Sequence, residues 1–278
     1  MSKEYIYRDI TLDDENDILN ISRSIWDGDD YIPFVWKKFV KDNNNFFKGI
    51  EVDKKLIGFS NMVIFNEDSA WFEGLRVLNS ERGKGYGKLV SRSMMKFALE
   101  SGIKNFYFST YYQNIESIKL HEKMNFRMIK KYKYLRKDVS DKSNCGEIIY
   151  DDFFYPEKIM NNDWVFIIPE AKDKGRFFPN SGMIKDSFKN IILFSDDFKS
   201  DDTLAINYVK ISDENEFIKL LSCLKNIASS RNKGNLSVMC ETEKETSLFK
   251  REGFEEFTDE KYDVFLYYVN ERDLDLCN

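Results

Sequence analysis

The run Arg82-Gly83-Lys84-Gly85-Tyr86-Gly87 joins an apolar, strand-like segment to an amphipathic, helix-like one, and it constrains the chain more than any other stretch. Glycines permit positive φ and a close backbone approach, so successive N–H groups can converge on an anion while the dipole of the following helix adds attraction. The run therefore reads as a phosphate cradle. A P-loop would need Gly-Lys-Ser/Thr after four intervening residues, and a dinucleotide fingerprint would need Gly-x-Gly-x-x-Gly with an acid about twenty residues on. Lys88 and Leu89 follow Gly87, so neither pattern fits.

Around this loop the hydrophobic pattern alternates between the two periods. Thr11 or Asp13 caps a helix expected to run through about Trp26, and Phe34 to Lys41 reads as a second helix. Phe46 to Val52 and Leu56 to Phe65 are strands about an Asp53-Lys54-Lys55 turn. Ala70 to Val77 is a strand entering the glycine loop, and Lys88 to Ser101 is a helix stopped by Gly102. Asn105 to Thr110, a helix from Asn114, and Met128 to Leu135 complete this half.

The spacing Arg-x-x-Gly-x-Gly at Arg82 to Gly87, followed by Asn114-Ile115-Glu116-Ser117-Ile118-Lys119-Leu120-His121-Glu122-Lys123-Met124-Asn125-Phe126, resembles the two ordered signatures of the GNAT N-acetyltransferases. Tyr7 to Asp14 resembles the first strand and helix of that family, so the likeness covers roughly residues 5 to 135. It implies a GNAT fold of the α/β (α+β) class, a mixed, mostly antiparallel sheet flanked by helices, with acetyl-coenzyme A as cosubstrate and no metal. By that resemblance, Leu75, Arg76 and Val77 pair with the pantetheine arm where the fourth and fifth strands splay. The amides of Arg82, Gly83, Lys84, Gly85, Tyr86, Gly87 and Lys88 take the pyrophosphate, and Asn114 and Ser117 contact the pantetheine side.

Glu73 is the candidate general base. It stands two residues before Leu75 and on the same face of that strand; the competing reading is a rim glutamate paired with a lysine. His121, the only histidine, stands where the resembled family places a tyrosine acid for the departing thiolate. An imidazolium with an ordinary pKa near 6.5 could donate that proton, or the ring merely packs in place of tyrosine. Arg82 either contacts phosphate or caps the helix. The acidic, aromatic loop Trp26 to Pro33, with Asp29, Asp30 and Tyr31, is the candidate acceptor site for a cationic amine; a plain surface turn is the alternative. This loop and Glu73 to Val77 are similar to histidine N-acetyltransferase-like two-domain proteins, which implies a small amine acceptor.

At 278 residues, two domains are the natural expectation. Leu248 to Phe254 repeats Leu120 to Phe126 at an offset of 128, so the far half reads as a second, degenerate GNAT-like fold. Ser212, expected as its helix cap, is followed by acids that would repel a pyrophosphate, so no coenzyme site is expected there. The expected division is 1–137 for the first domain, 138–162 for a polar linker region and 163–278 for the second. The balance of 42 Lys+Arg against 48 Asp+Glu offers no electrostatic drive toward nucleic acid or anionic membrane. No apolar run approaches the length of about 20 residues needed to span a bilayer, no signal peptide is evident, and four scattered cysteines read as reduced thiols, so the expectation is a cytoplasmic protein. A homodimer stays open. The activity read from this is acetyl transfer to a primary amine by direct attack in a ternary complex; a non-catalytic acetyl-coenzyme A sensor and a protein or peptide acetyltransferase are the alternatives.

Overall fold

Asp53 and Lys54 both take positive φ, +51° and +62°. That is the tight turn whose twist matches a hairpin, and it pairs β2 (Asn45–Val52) with β3 (Lys55–Ile64) through Val52↔Lys55. The computed structural model describes residues 4–139, 149–197 and 199–277. They divide into two compact units, one made of the described residues within 1–108, 116–127 and 267–278, the other of those within 109–115 and 128–266.

In the first unit, β1 (Ile6–Asp9) pairs antiparallel with β2, β3 pairs antiparallel with β4 (Ser69–Val77), and β4 pairs parallel with β5 (Asn105–Tyr111). The parallel step is bridged by α3 (Tyr86–Glu100). Helices α1 (Glu15–Ser22) and α2 (Ile32–Lys41) bury Ile18, Ile21, Val35, Trp36 and Phe39 with Ile50, Leu56 and Phe59 of the sheet. The first helix stops at Ser22, short of Trp26, where the backbone turns left-handed at φ +45°. After α4 (Ile115–Glu122), the chain enters β6 (Arg127–Asp138) and the second unit.

The second unit repeats the plan. Strands β7 (Ile149–Asp151), β10 (Gly182–Lys185), β11 (Ile191–Asp196) and β12 (Thr203–Lys210) pair antiparallel in the order β7-β10-β11-β12. Between β7 and β10 lies the hairpin of β8 (Met160–Asn162) and β9 (Val165–Ile167). Helix α5 (Glu214–Ser230) bridges β12 to its parallel neighbour β13 (Asn235–Cys240), and α6 (Glu243–Arg251) follows. Strands β14 (Glu255–Glu256) and β15 (Val264–Asn270) end the chain. Antiparallel pair, crossover helix, parallel strand and short helix thus recur.

The contiguous division at 137 and 163 is corrected by this arrangement. Tyr267–Asn278 belongs to the first unit, where Tyr267 stacks on Phe108 at 5.0 Å and the Tyr268 hydroxyl donates to Asn105 at 2.8 Å. Residues 140–148 of the expected linker region lie outside the described residues, while Ile149–Asp151 is an edge strand rather than a linker. Asp213, not Ser212, caps α5, its carboxylate accepting the Glu216 amide at 3.0 Å. Cys240 and Cys277 are free, and Cys223 is disulfide-bonded, which departs from four reduced thiols. Among the described residues no helix is long and apolar enough to cross a membrane.

Candidate active site

Strand β4 leaves β5 part-way along. The parallel pairing runs Ser69↔Asn105, Ala70↔Phe106 and Trp71↔Tyr107 and then stops, although β4 continues to Val77. On its other edge β4 stays paired with β3, but Gly74 and Leu75 together face Ser60, because the register passes from Asn61↔Glu73 to Phe59↔Arg76. Two residues against one is a β-bulge, and Gly74 supplies the positive φ, +66°, that it needs. An open strand edge with a bulge is therefore built where an extended acyl chain could add as a further strand.

The strand then leads into the cradle. Gly83 and Gly85 take φ +75° and +87°, and a Cβ at either would meet nothing within 4 Å. Gly85 precedes the first residue of α3, whose first-turn amides have no acceptor within the helix. Gly87 is already helical, and a Cβ there would touch only Val77 Cγ2 at 3.7 Å, so its role is clearance rather than backbone freedom. Arg82 and Lys84 are exposed, with Lys84 paired to Glu81 at 3.1 Å; Tyr86 and Lys88 are half-buried.

Glu73 is buried, and its Oε1 accepts the Asn61 side-chain amide at 3.2 Å. Asn61 in turn donates to Asn45 Oδ1 at 3.2 Å. The Glu73 carboxylate is thus held in place beside the bulge. Asn61 was not legible as a site residue. A polar residue within the apolar strand pattern of Leu56 to Phe65 was the only available signal.

Three expectations are corrected. Asp30 does not wait for an amine: its side chain is 0% exposed, and its oxygens accept Arg76 Nη2 at 2.8 Å and Arg76 Nε at 3.1 Å. Arg76 also donates through Nη1 to the Leu75 carbonyl at 3.0 Å and lies under the rings of Trp26, 4.6 Å from Cζ to centroid, and Tyr31, 5.4 Å. Burial is the largest influence and would lower the Arg76 pKa, but the Asp30 bonds together with the nearby Tyr31, Asp30 and Glu73 hold it above its ordinary value. The Arg76 side chain is therefore held by protein partners, and the Leu75 carbonyl accepts one of its bonds. Tyr31 is half-buried and Asp29 exposed.

The third correction is His121. The imidazole is 1% exposed among Phe72, Phe108 and Phe126, with ring centroids at 5.4, 4.4 and 5.4 Å. Burial pushes its pKa down to about 4, against a small opposing effect of the Ser117 carbonyl. Nδ1 lies 2.9 Å from that carbonyl and so carries the proton, while Nε2 has no partner among the described residues. A neutral ring at neutral pH is no imidazolium donor. It also points inward rather than sharing a ligand-facing stripe with the half-buried Ser117; Asn114 precedes α4 and belongs to the other unit.

The second unit has its own splay, since β12 and β13 part after Ile206↔Val238. The cavity there, lined among others by Tyr132, Asn161, Asn207 and Cys240, measures about 30 Å³, room for roughly two waters. The Asp213 cap with Glu214 and Glu216 gives α5 an acidic first turn in place of a glycine cradle. Among the described residues, no group of three or more His, Cys, Asp or Glu is placed to hold a metal.

Residues 12–126 match the model of the Acetyltransferase (GNAT) family, and this part of the chain is a GNAT acetyltransferase domain. Among curated proteins, none matches the sequence. Solved structures share the fold across both halves. A proposed acetyltransferase from Thermoplasma acidophilum is 15% identical at a TM-score of 0.62, covering 95% of this chain and 99% of its own. A GCN5-related N-acetyltransferase from Sphaerobacter thermophilus is 11% identical at 0.63, with 96% of each chain covered. The glucosamine N-acetyltransferase region of a fungal multi-domain β-N-acetylglucosaminidase is 13% identical at 0.68, covering 97% of this chain and 38% of that one.

Proposed function

We propose that the GNAT domain at residues 12–126 moves an acetyl group from acetyl-coenzyme A to the primary amine of a small molecule. The observation that carries this reading is the continuity of one strand: β4 loses its partner at Trp71, bulges at Gly74 and runs on toward the open Gly83–Gly85 cradle. Free strand edge and anion cradle are thus in series, as a ligand with an amide arm and a pyrophosphate requires. The amides of Gly83 to Lys88 take the pyrophosphate, and the backbone of Leu75 to Val77 takes the arm.

Glu73, held by Asn61, accepts a proton from the acceptor ammonium, directly or through water. The amine nitrogen attacks the thioester carbonyl carbon, the tetrahedral intermediate expels the thiolate, and the C–S bond breaks as the amide forms. With His121 neutral, water takes the proton that the nitrogen of the tetrahedral intermediate must lose and returns one to the departing thiolate.

Acetyl-coenzyme A at 100 times its Kd adds about 2.7 kcal/mol to native stability by mass action. Gly87→Val keeps a helix-compatible backbone but fills the cradle, and so removes the thermal shift. Glu73→Gln keeps the shift and lowers kcat by about 10²-fold or more. A normal shift in the folded Gly87→Val protein would sink the cradle assignment. Binding by the wild type without thiol release, across a broad amine panel, would leave a sensor rather than an enzyme.

A further inference from the structure

Strand β12 carries one residue more than its neighbour β11 can face. The register steps from Leu193↔Tyr208 to Phe194↔Ile206, so Asn207 has no opposite residue and forms a bulge. Bulges re-aim side chains, and this one stands where β12 parts from β13, just past Ile206↔Val238. Asn207 is 4% exposed; its Nδ2 donates to the Asn161 carbonyl at 2.9 Å, and its Oδ1 has no partner among the described residues. Tyr132 lines the same cavity. It is 2% exposed, its ring lies 4.5 Å from that of Phe166, and its hydroxyl has no partner among the described residues either. Burial, and after it the nearby Glu241, pushes the Tyr132 pKa above its ordinary value, so the hydroxyl keeps its proton to donate. An orphaned donor and an orphaned acceptor therefore belong to one cavity, although buried polar atoms are costly to leave unbonded.

The surroundings narrow what can fill it. About 30 Å³ holds a group of a few heavy atoms, and a lone hydroxyl or a single water would leave part of it empty. The charged residues that line it already have partners. Glu241 pairs with Lys130 at 3.2 Å, Glu245 accepts the Glu241 and Thr242 amides at 2.9 and 3.1 Å, and Lys158 Nζ stands 4.4 Å from the Tyr208 ring centroid. An ionised group would enter without a free counter-charge, which burial penalises. Coenzyme A is disfavoured separately, since Asp213, Glu214 and Glu216 open α5 in place of a phosphate cradle. An amide is small and neutral and brings one acceptor and one donor side by side. We propose that this cavity of the second unit binds the carboxamide group of a small molecule, its carbonyl oxygen accepting from the Tyr132 hydroxyl and its N–H donating to Asn207 Oδ1. Occupancy of this site needs no acetyl-coenzyme A.

The test uses the full chain without acetyl-coenzyme A and follows the side-chain N–H signals of Asn207 by NMR, assigned by their absence from Asn207→Asp. Acetamide shifts them along a saturating curve. Acetate and isopropanol bind at least about 10-fold more weakly, the scale of a bond denied to a buried polar partner. Tyr132→Phe keeps the ring and its stacking on Phe166. It melts at or above the wild-type temperature, because the hydroxyl it deletes has no partner to lose, and it binds acetamide about 10-fold or more weakly. Equal acetamide affinity in wild type and Tyr132→Phe overturns the inference, as does equal binding of isopropanol or acetate. A Tyr132→Phe melting temperature several degrees below wild type overturns it by revealing a bond that the hydroxyl already makes. The absence of any saturable shift with acetamide overturns it too, leaving water as the only occupant.

Discussion

His121 and Phe249 occupy the same position in two copies of one helix ending. Met124 and Phe126 donate their amides to the His121 carbonyl at 2.9 and 3.0 Å; Glu252 and Phe254 donate to the Phe249 carbonyl at 3.0 and 3.1 Å. Asn125 and Gly253 supply the positive φ between them, +65° and +77°. His121 meets Phe126 edge to face at 5.4 Å, as Phe249 meets Phe254 at 5.0 Å. In the second unit the slot holds a fully buried phenylalanine, and the surroundings of His121 are equally apolar.

The first prediction follows from that equivalence. His121→Phe keeps kcat within about threefold, because general acid catalysis, worth 10²–10⁴-fold where present, is not supplied by a neutral ring. Its effect is on pH dependence. The folded-state pKa of about 4 lies below the ordinary 6.5, so the unfolded chain binds more protons between those values. The wild type therefore has its full histidine contribution above about pH 6.5 and loses it as pH falls toward 4, by about 3 kcal/mol in total at 1.36 kcal/mol per unit. Thermal melts of wild type and His121→Phe should diverge over that window. Parallel melts, or a 10²-fold fall in kcat at pH 7, would restore a catalytic imidazole.

The glycine cradle was legible because φ is a local property: Gly83 and Gly85 are needed where they stand, and the sequence shows them. The repeat at offset 128 was legible for the same reason, since a helix ending with a left-handed residue and a buried aromatic is a short-range pattern. Asp30 looked like a ligand because its partner lies 46 residues away on another element. His121 looked titratable because Phe72 and Phe108, which desolvate it, come from two distant strands. Gly74 was visible, and a glycine inside a strand pattern signals a bulge. Its consequence, an open edge, depends on where β5 stops pairing, which no local rule fixes.

A second prediction concerns the buried ion pair. Removing one partner of such a pair strands the other charge, at a cost of about 3–5 kcal/mol. Asp30→Ala should therefore unfold at clearly lower denaturant, and the Asp30→Ala, Arg76→Met double variant should recover part of the loss, giving a coupling energy different from the zero of additive effects. An Asp30→Ala protein of wild-type stability, defective only in amine KM, would return Asp30 to the acceptor site.

The third prediction concerns the last strand. Tyr267 and Val269 are 2% and 1% exposed, and fully burying a side chain of this size contributes about 1.5–3 kcal/mol each. Tyr267 stacks on Phe108, its hydroxyl donates to Glu122 at 3.3 Å, and Asn270 donates to Asn105 at 3.0 Å. The Asn125 side chain also donates to the Asp273 carbonyl at 2.9 Å. Lost together from a domain whose net stability is typically 5–15 kcal/mol, these interactions decide whether the first unit folds. A chain ending at 266 should be insoluble or lack a cooperative melt, and a fragment of 1–137 should fail in the same way. Supplying 267–278 again at the end of the 1–137 fragment through a flexible linker should recover folding and the acetyl-coenzyme A thermal shift. A soluble 1–266 chain that binds acetyl-coenzyme A normally would show that β5 does not need the last strand.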